Sequence, residues 1–225
     1  MNKEIYLIRG TADENYTDFR TRIFKVSQRV IKESYPDALS LTITEAPPPA
    51  LSVIPFKRGK IAAISVFKND SRMVEPLVEQ TGFTDGYRVE EALPVSYTRD
   101  WNDGQVTPGI CLLTLFRQKK GISYTTFLDR WHNSHTPMSL RFHPLWHYNR
   151  NVARQVIAAR DEPWDGIVEE HFRTRADLLN PFRFFGNPLV ILSRMISVYR
   201  DTNSFLDYST IEPWLVREYH IKDVK

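Results

Sequence analysis

The order of the predicted strands and helices restricts the fold of this chain most, because the same order occurs twice. In the first set, short apolar or alternating runs predict strands at residues 4–9, 39–45, 61–67 and 87–97. Apolar side chains at helical spacing predict a helix over residues 16–34, and we expect Asp70 to cap a second helix that ends near Gly82. This β-α-β-β-α-β order is that of a ferredoxin-like unit.

A second set of elements follows a turn-rich linker at residues 101–108. Strands are predicted at 109–116, 146–158, 166–172 and 213–221, with helices at 123–134 and from 175 onward. An inserted apolar helix near 188–200, capped by Asn187, is expected either to cap the barrel end or to roof a pocket.

The chain is therefore expected to be an α+β protein with two tandem ferredoxin-like halves, residues 1–100 and 109–225. Packed face to face, their four-stranded sheets would form an eight-stranded α/β barrel. The interior of such a barrel is wide enough for one small ligand.

Composition excludes several classes of function. A net charge of +3, from 30 basic and 27 acidic residues, is too small and too scattered to predict binding to nucleic acid. The sequence contains neither a membrane-spanning apolar run nor a signal peptide, so we expect a cytoplasmic protein without a membrane partner. Neither a glycine-rich phosphate loop, a Gly-x-Ser-x-Gly elbow nor a Cys-x-x-Cys pair is present. The single cysteine, Cys111, lies in an apolar run and is expected to be buried.

Residues 121–152 contain four of the six histidines and two of the five tryptophans. Ser123 is a good N-cap for a helix that we expect to end at about Ser134, before Pro137. His135 is predicted to end an apolar stripe and to face inward, and His132 to lie at the stripe's edge; the stripe comprises Tyr124, Phe127, Leu128, Trp131 and His135. An inward imidazole beside an apolar pocket suits general acid–base catalysis, because its ordinary pKa lies near neutral pH.

Three segments of the second half resemble the EthD family of the dimeric α/β-barrel superfamily. They are Phe127-x-x-x-Trp131-His132-x-x-His135-x-Pro137 with the following Tyr148-x-x-Asn151, the strand that begins Trp164-Asp165-Gly166, and Asn203 to Asp207. The resemblance covers residues 110–220, whereas the first hundred residues resemble the superfamily only in their order of elements.

The resemblance implies an enzyme that acts without a cofactor on an aromatic, polyketide-like or terpenoid-like molecule, with His135 in its pocket. We expect a lyase-type reaction, as in a dehydratase, decarboxylase or cyclase, with His135 as general base and then acid. Tyr148 would donate to the developing oxyanion, and Phe127 with Trp131 would form a dry wall. Two alternatives stay open: a cofactor-independent monooxygenase of phenolic substrates, and a non-catalytic small-molecule-binding barrel. A homodimer is expected.

Strand parity separates other candidates. Tyr148 and Asn151 face opposite sides of a regular strand, so Tyr148 is preferred in the pocket unless a bulge lies near residues 149–150. Glu170 is the candidate carboxylate that would orient His135. The set expected to bind substrate is Phe127, Trp131, His132, His147, Asn151 and Trp164.

The four histidines of this stretch also raise the alternative of a metal site: His132, His135, His143 and His147. No carboxylate follows the histidines at a helical His-x-x-x-Glu spacing, and the resembled family uses no metal, so no metal is predicted.

Overall fold

Eight strands account for most of the regular structure in the computed structural model, which describes residues 2–70 and 72–223. The strands are β1 (Asn2–Arg9), β2 (Ala38–Ile43), β3 (Ile61–Lys68), β4 (Phe83–Val95), β5 (Ile110–Phe116), β6 (Leu145–Ala159), β7 (Gly166–Phe172) and β8 (Glu212–Lys222). The helices are α1 (Tyr16–Ser34), α2 (Glu75–Val78), α3 (Tyr124–Asp129), α4 (Thr136–Phe142), α5 (Arg175–Leu179), α6 (Pro181–Phe184) and α7 (Ile191–Phe205), and a π-helical segment, Arg130–His135, joins α3 to α4.

The strands form one closed antiparallel barrel in the order β1-β3-β2-β8-β5-β7-β6-β4. Within it β4-β1-β3-β2 and β8-β5-β7-β6 repeat the same ferredoxin-like order, so the predicted fold class is confirmed. The two sheets are joined at their edges by the pairs β2–β8 and β4–β6, which leave no strand edge unpaired in the barrel.

Side chains from strands around the whole barrel meet in its centre. This lumen core includes Ile5, Leu7, Ala63, Tyr87, Cys111, Leu113, Leu115, Trp164, Ile167 and Trp214. Cys111 is buried there, as expected, and burial raises the pKa of its thiol well above the ordinary value.

The helices pack on the outside of the barrel. The stripe Phe19, Ile23, Val26 and Val30 of α1 packs on the outer face of the first sheet, as its helical spacing predicts. The predicted cap at Asp70 is wrong: α2 begins only at Glu75, with Pro76 in its first turn, and Asp70 instead accepts a hydrogen bond from the backbone N–H of Arg72. No helix among the described residues has the length and apolar composition needed to cross a membrane.

The predicted stop at Pro137 is also wrong, because helical backbone continues from Tyr124 to Phe142. Proline normally clashes with the carbonyl four residues before it and removes one hydrogen bond. Here the preceding turn is widened into a π-helix, in which the Thr136 N–H donates to the Trp131 carbonyl five residues back. The wider turn makes room for the ring, so the helix passes through Pro137 and places His135 at the end of the π segment.

Candidate active site

A cavity of about 500 Å³ lies between the outer face of the second sheet and the helices that cover it. Its floor includes Leu112, Glu170 and Tyr148, which are opposite one another on β5, β7 and β6. The loops at residues 53–57 and 206–211 contribute to the other walls, together with the helical or π-helical residues Trp131, His135, Ser139, Val198, Thr202 and Phe205. The inserted helix α7 therefore roofs the pocket, one of the two positions predicted for it.

The expectation of an apolar pocket inside the barrel is wrong. Tyr148 and Glu170 point away from the lumen, whereas their neighbours Asn149 and Glu169 lie on the lumen face. An eight-stranded barrel is just wide enough for its own side chains to fill, and large residues such as Tyr87 and Trp214 fill its centre. The cavity that His135 and Glu170 line is on the other side of the sheet.

His135 is held between two side chains. Its Nδ1 lies 2.8 Å from Asp201 Oδ2, and its Nε2 lies 3.2 Å from Ser139 Oγ, one helical turn further on. Burial raises the pKa of Asp201, but hydrogen bonds from His135 and Ser134 outweigh it and hold the pKa below its usual range. An ionised Asp201 only accepts hydrogen bonds, so Nδ1 carries a proton, and Nε2 is the nitrogen that accepts in the neutral imidazole.

Asp201 was missed by the sequence reasoning, which assigned the orienting carboxylate to Glu170. That assignment is corrected: the carboxylate on His135 comes from α7, 66 residues along the chain. A usable signal was present in the spacing of Val198, Asp201 and Phe205, which puts one carboxylate on the apolar face of the inserted helix.

Glu170 has a different environment. Its carboxylate lines the cavity and makes neither a hydrogen bond nor an ion pair with any side chain in the described part of the chain. Burial raises its pKa to about 7. Glu170 is therefore present in both its neutral and its ionised form at neutral pH, as a group that gives and takes protons must be.

Tyr148 is only 1% exposed and is the cross-strand neighbour of Glu170. Burial and then the Glu170 charge raise its pKa, although hydrogen bonds with Trp131 and Thr136 act in the opposite direction. The hydroxyl stays protonated at neutral pH and can donate a hydrogen bond. His135, Glu170 and Tyr148 thus line one cavity, and Trp131 forms part of its apolar wall.

The other residues predicted to bind substrate lie away from this cavity. Phe127 is fully buried behind the wall, against Phe116, Trp131 and Phe205. Trp164 belongs to the lumen core, with the Arg117 guanidinium 4.1 Å from its ring centroid.

Asn151 also faces the lumen, where its Nδ2 donates to the Ile167 carbonyl over 3.1 Å. The β6–β7 pairing is regular from His147 to Val152, and the register shift opposite residues 148–150 adds a residue to β4 rather than to β6, so Tyr148 and Asn151 occupy opposite faces of β6.

Two histidines of the predicted set lie outside the cavity: His132 is half-buried and His147 is buried. Burial and then the Arg150 charge lower the pKa of His132 to about 4. Burial and then His171 lower the pKa of His147 to about 3, at the open end of the barrel. His143 follows α4, and its Nδ1 donates to the Phe184 carbonyl over 2.9 Å, since a carbonyl only accepts; Nδ1 is therefore a protonated nitrogen. Within residues 2–70 and 72–223 there is no group of three His, Cys, Asp or Glu side chains arranged to hold a metal ion.

Solved structures share this fold at very low sequence identity. An anthrone oxidase-like protein superposes with a TM-score of 0.57 and 10% identity, over 97% of this chain and 90% of its own. A proposed monooxygenase from Fusobacterium nucleatum subsp. nucleatum gives a TM-score of 0.51 and 9% identity, over 98% and 92%. No protein-family model and no curated protein matches the chain. These likenesses are of fold: a closed eight-stranded α/β barrel, with both ferredoxin-like halves in one chain.

Proposed function

We propose that this protein is a cofactor-independent enzyme that transfers protons on a small aromatic, polyketide-like or terpenoid-like molecule, as a dehydratase, decarboxylase or cyclase. One observation carries the proposal: an imidazole oriented by an ionised carboxylate shares an apolar cavity with an unpaired carboxyl whose pKa is about 7. The resemblance of residues 127–151 to the EthD family supports the substrate class and the absence of a cofactor.

The first step assigned to His135 is removal of a proton next to a carbonyl, or from a phenol. The Nε2 lone pair accepts that proton, and Asp201 stabilises the imidazolium that forms. Ser139 Oγ lies at the long end of hydrogen-bond distance from Nε2, so a substrate group can displace it by rotation of the serine side chain.

The negative charge moves to the substrate oxygen, where Tyr148 donates its hydroxyl proton in a hydrogen bond. The apolar walls around Trp131 and Phe205 exclude water and strengthen that bond. In a dehydration, the neutral form of Glu170 then gives its proton to the leaving hydroxyl, and water departs. His135 then releases its proton to solvent, and Glu170 takes up a proton from solvent, which restores both groups.

The presence of two proton-transferring groups, His135 and Glu170, favours an elimination over a simple deprotonation. A dehydratase needs a base for the carbon acid and an acid for the leaving oxygen, and both have candidates in this cavity. Glu170 is suited to the acid role because its raised pKa keeps about half of it protonated at pH 7.

The substrate is sought first by mass spectrometry of small molecules released from the purified, denatured protein. Turnover of the released compound, or of related phenols and β-hydroxy ketones, is then compared between wild type and His135→Gln. We expect a loss of about 10²-fold or more in rate. His132→Gln is the matched control, because His132 lies on the same helical segment but does not line the cavity.

Full activity of His135→Gln would contradict the mechanism. Tight binding of the released compound without any conversion, unchanged in His135→Gln, would instead indicate the non-catalytic binding barrel.

A cofactor-independent monooxygenase is the second candidate. The names of the two structural neighbours, an anthrone oxidase-like protein and a proposed monooxygenase, support it. Such an enzyme needs only one base to form a phenolate or carbanion that reacts with dioxygen, so Glu170 would have no required role. An oxygen electrode separates the candidates: uptake of one O₂ per turnover indicates the monooxygenase, and turnover without oxygen indicates the lyase.

A further inference from the structure

A second cavity, of about 410 Å³, lies at one open end of the barrel. Its walls include Ser40 and Phe67 from the first half, and His147, Asn149 and Glu218 from the second. His147 and Asn149 flank Tyr148 on β6 and face the lumen, whereas Tyr148 faces the sheet–helix cavity. The barrel wall therefore separates this barrel-mouth cavity from the candidate active site.

Two buried polar side chains line the barrel mouth with atoms that have no partner. Asn149 is 8% exposed; its Nδ2 donates to Glu91 Oε1 over 2.9 Å, but its Oδ1 accepts nothing from the described residues. His147 is 7% exposed, and its Nδ1 is likewise without a hydrogen-bond partner in that part of the chain. Buried polar atoms are almost always hydrogen-bonded, so these two need a ligand or an ordered water molecule.

Among the described residues, the polar atoms without a partner at the barrel mouth include an acceptor, Asn149 Oδ1, and a donor, Arg99 Nε. The Tyr97 hydroxyl donates to Glu218 Oε2 over 2.6 Å, and Lys3 Nζ donates to Glu91 Oε1 over 2.7 Å. Burial raises the pKa of Glu218, but the neighbouring His171 and hydrogen bonds from His220 and Tyr97 outweigh it, so Glu218 is ionised. The wall carries both carboxylates and the cations Arg99 and Lys222, and the Arg99 guanidinium is itself paired with Asp103 and Asp223. This balance of charges favours an uncharged ligand, and the unpartnered Asn149 oxygen favours one that brings O–H or N–H groups.

The shape of the barrel mouth favours a flat ligand. The Tyr97 ring lies 4.4 Å from the His147 ring, centroid to centroid, and Trp101 and Trp146 pack on other sides of Tyr97. Phe67 and Leu93 add apolar area to the same cavity. Aromatic walls hold planar ligands by ring stacking, with a few polar groups fixing their orientation.

We propose that the barrel mouth is a second small-molecule site, separate from the sheet–helix cavity, which takes an uncharged flat ring carrying neighbouring hydroxyl donors. The hydroxyls donate to Asn149 Oδ1 and to a wall carboxylate, and the ring packs against Tyr97 and Phe67. This site is independent of the proposed chemistry, since none of the side chains named for it lines the barrel mouth: His135, Asp201, Tyr148 and Glu170.

The test compares catechol with 1,2-dimethoxybenzene, in which two methyl groups replace the hydroxyl hydrogens. Binding is followed by NMR in isotope-labelled protein through the backbone amide signals of residues that line either cavity and, where Asn149 is present, through its side-chain amide. We expect catechol to shift these signals with a Kd in the millimolar range, and 1,2-dimethoxybenzene to bind at least tenfold more weakly. Asn149→Leu should abolish the preference for catechol.

Asn149 is buried, so Asn149→Leu is paired with a variant that leaves the polar groups in place. Ser40→Phe fills the cavity from a half-exposed position on β2 and should abolish catechol binding, while His135→Gln should leave it unchanged. The proposal is overturned if both probes bind equally, if Ser40→Phe binds catechol like wild type, or if catechol shifts only signals of the sheet–helix cavity. It is also overturned if neither probe binds, since the polar atoms then hold only ordered water.

Discussion

Glu170→Gln should remove a pH dependence of stability that the wild-type protein has between pH 5 and pH 8. Burial raises the pKa of Glu170 from its ordinary value of 4.5 to about 7, so the folded protein holds this proton more tightly than the unfolded chain does. The neutral carboxyl therefore contributes stability that is fully present below the unfolded pKa and is lost as the pH rises through the folded pKa. A glutamine keeps the shape of the side chain but never becomes charged.

The size of the effect follows from the two pKa values. Each pH unit between them changes the free energy of unfolding by ~1.4 kcal/mol, which gives about 2.5 kcal/mol between pH 5 and pH 8. The Glu170 side chain is partly exposed to the cavity, and water that reaches the carboxylate reduces this figure. We therefore expect the wild-type protein to lose ~1 to 2.5 kcal/mol of stability between pH 5 and pH 8, and Glu170→Gln not to show this loss.

Urea unfolding at four pH values from 5 to 8, followed by circular dichroism, measures this difference. Glu162→Gln is the matched control, because it makes the same chemical change at a side chain that is 73% exposed. Its stability should follow that of wild type at every pH. A difference between Glu170→Gln and wild type that stays constant from pH 5 to pH 8 would refute the raised pKa, and with it the role of Glu170 as an acid near neutral pH.

Three further predictions concern Asp201 beside His135, Gly166 behind the cavity wall, and Cys111 in the lumen core. Asp201→Asn should lower turnover by about tenfold or more because the imidazolium loses its counter-charge. Because folding lowers the pKa of Asp201, its ionised form stabilises the wild-type protein above the ordinary carboxyl pKa, and this stabilisation is lost in acid as Asp201 takes up a proton. Gly166→Ala should destabilise the protein by ~1 to 3 kcal/mol, measured by urea unfolding, because the new Cβ would lie 2.3 Å from the Phe116 ring and 2.9 Å from Trp131. Cys111 should react with a thiol reagent only after unfolding, because it is buried and its pKa is raised.

Each of these predictions has a clear contrary outcome. Unchanged turnover in Asp201→Asn would mean that the carboxylate does not assist His135. Gly86→Ala, whose Cβ would lie 3.1 Å from the Tyr6 ring, is the milder control for Gly166→Ala, and equal stability of the two variants would speak against close packing at Gly166. Rapid labelling of Cys111 in the native protein, at the rate seen in urea, would contradict its place in the lumen core.

Much of the fold was available from local patterns. The apolar stripe of α1 gave its bounds at Tyr16 and Ser34, and the strand β7 was predicted as it is observed, Gly166–Phe172. Helical spacing and strand alternation report directly on which face is buried, so elements with a clear pattern are recovered. Two errors came from local rules that tertiary structure overrides: Asp70 caps no helix, and a π-turn lets Pro137 stay inside one.

Local sequence patterns establish the order of elements and the alternation that sends Tyr148 and Glu170 to one side of the sheet and Asn149 to the other. They also single out His135 as a group suited to proton transfer. Which side of the sheet holds the apolar cavity depends on how completely large side chains fill the lumen, and this follows from the packing of all eight strands. The partner of His135 was decided in the same way: Asp201 reaches it from 66 residues away, and no local periodicity encodes the docking of α7 over the second sheet.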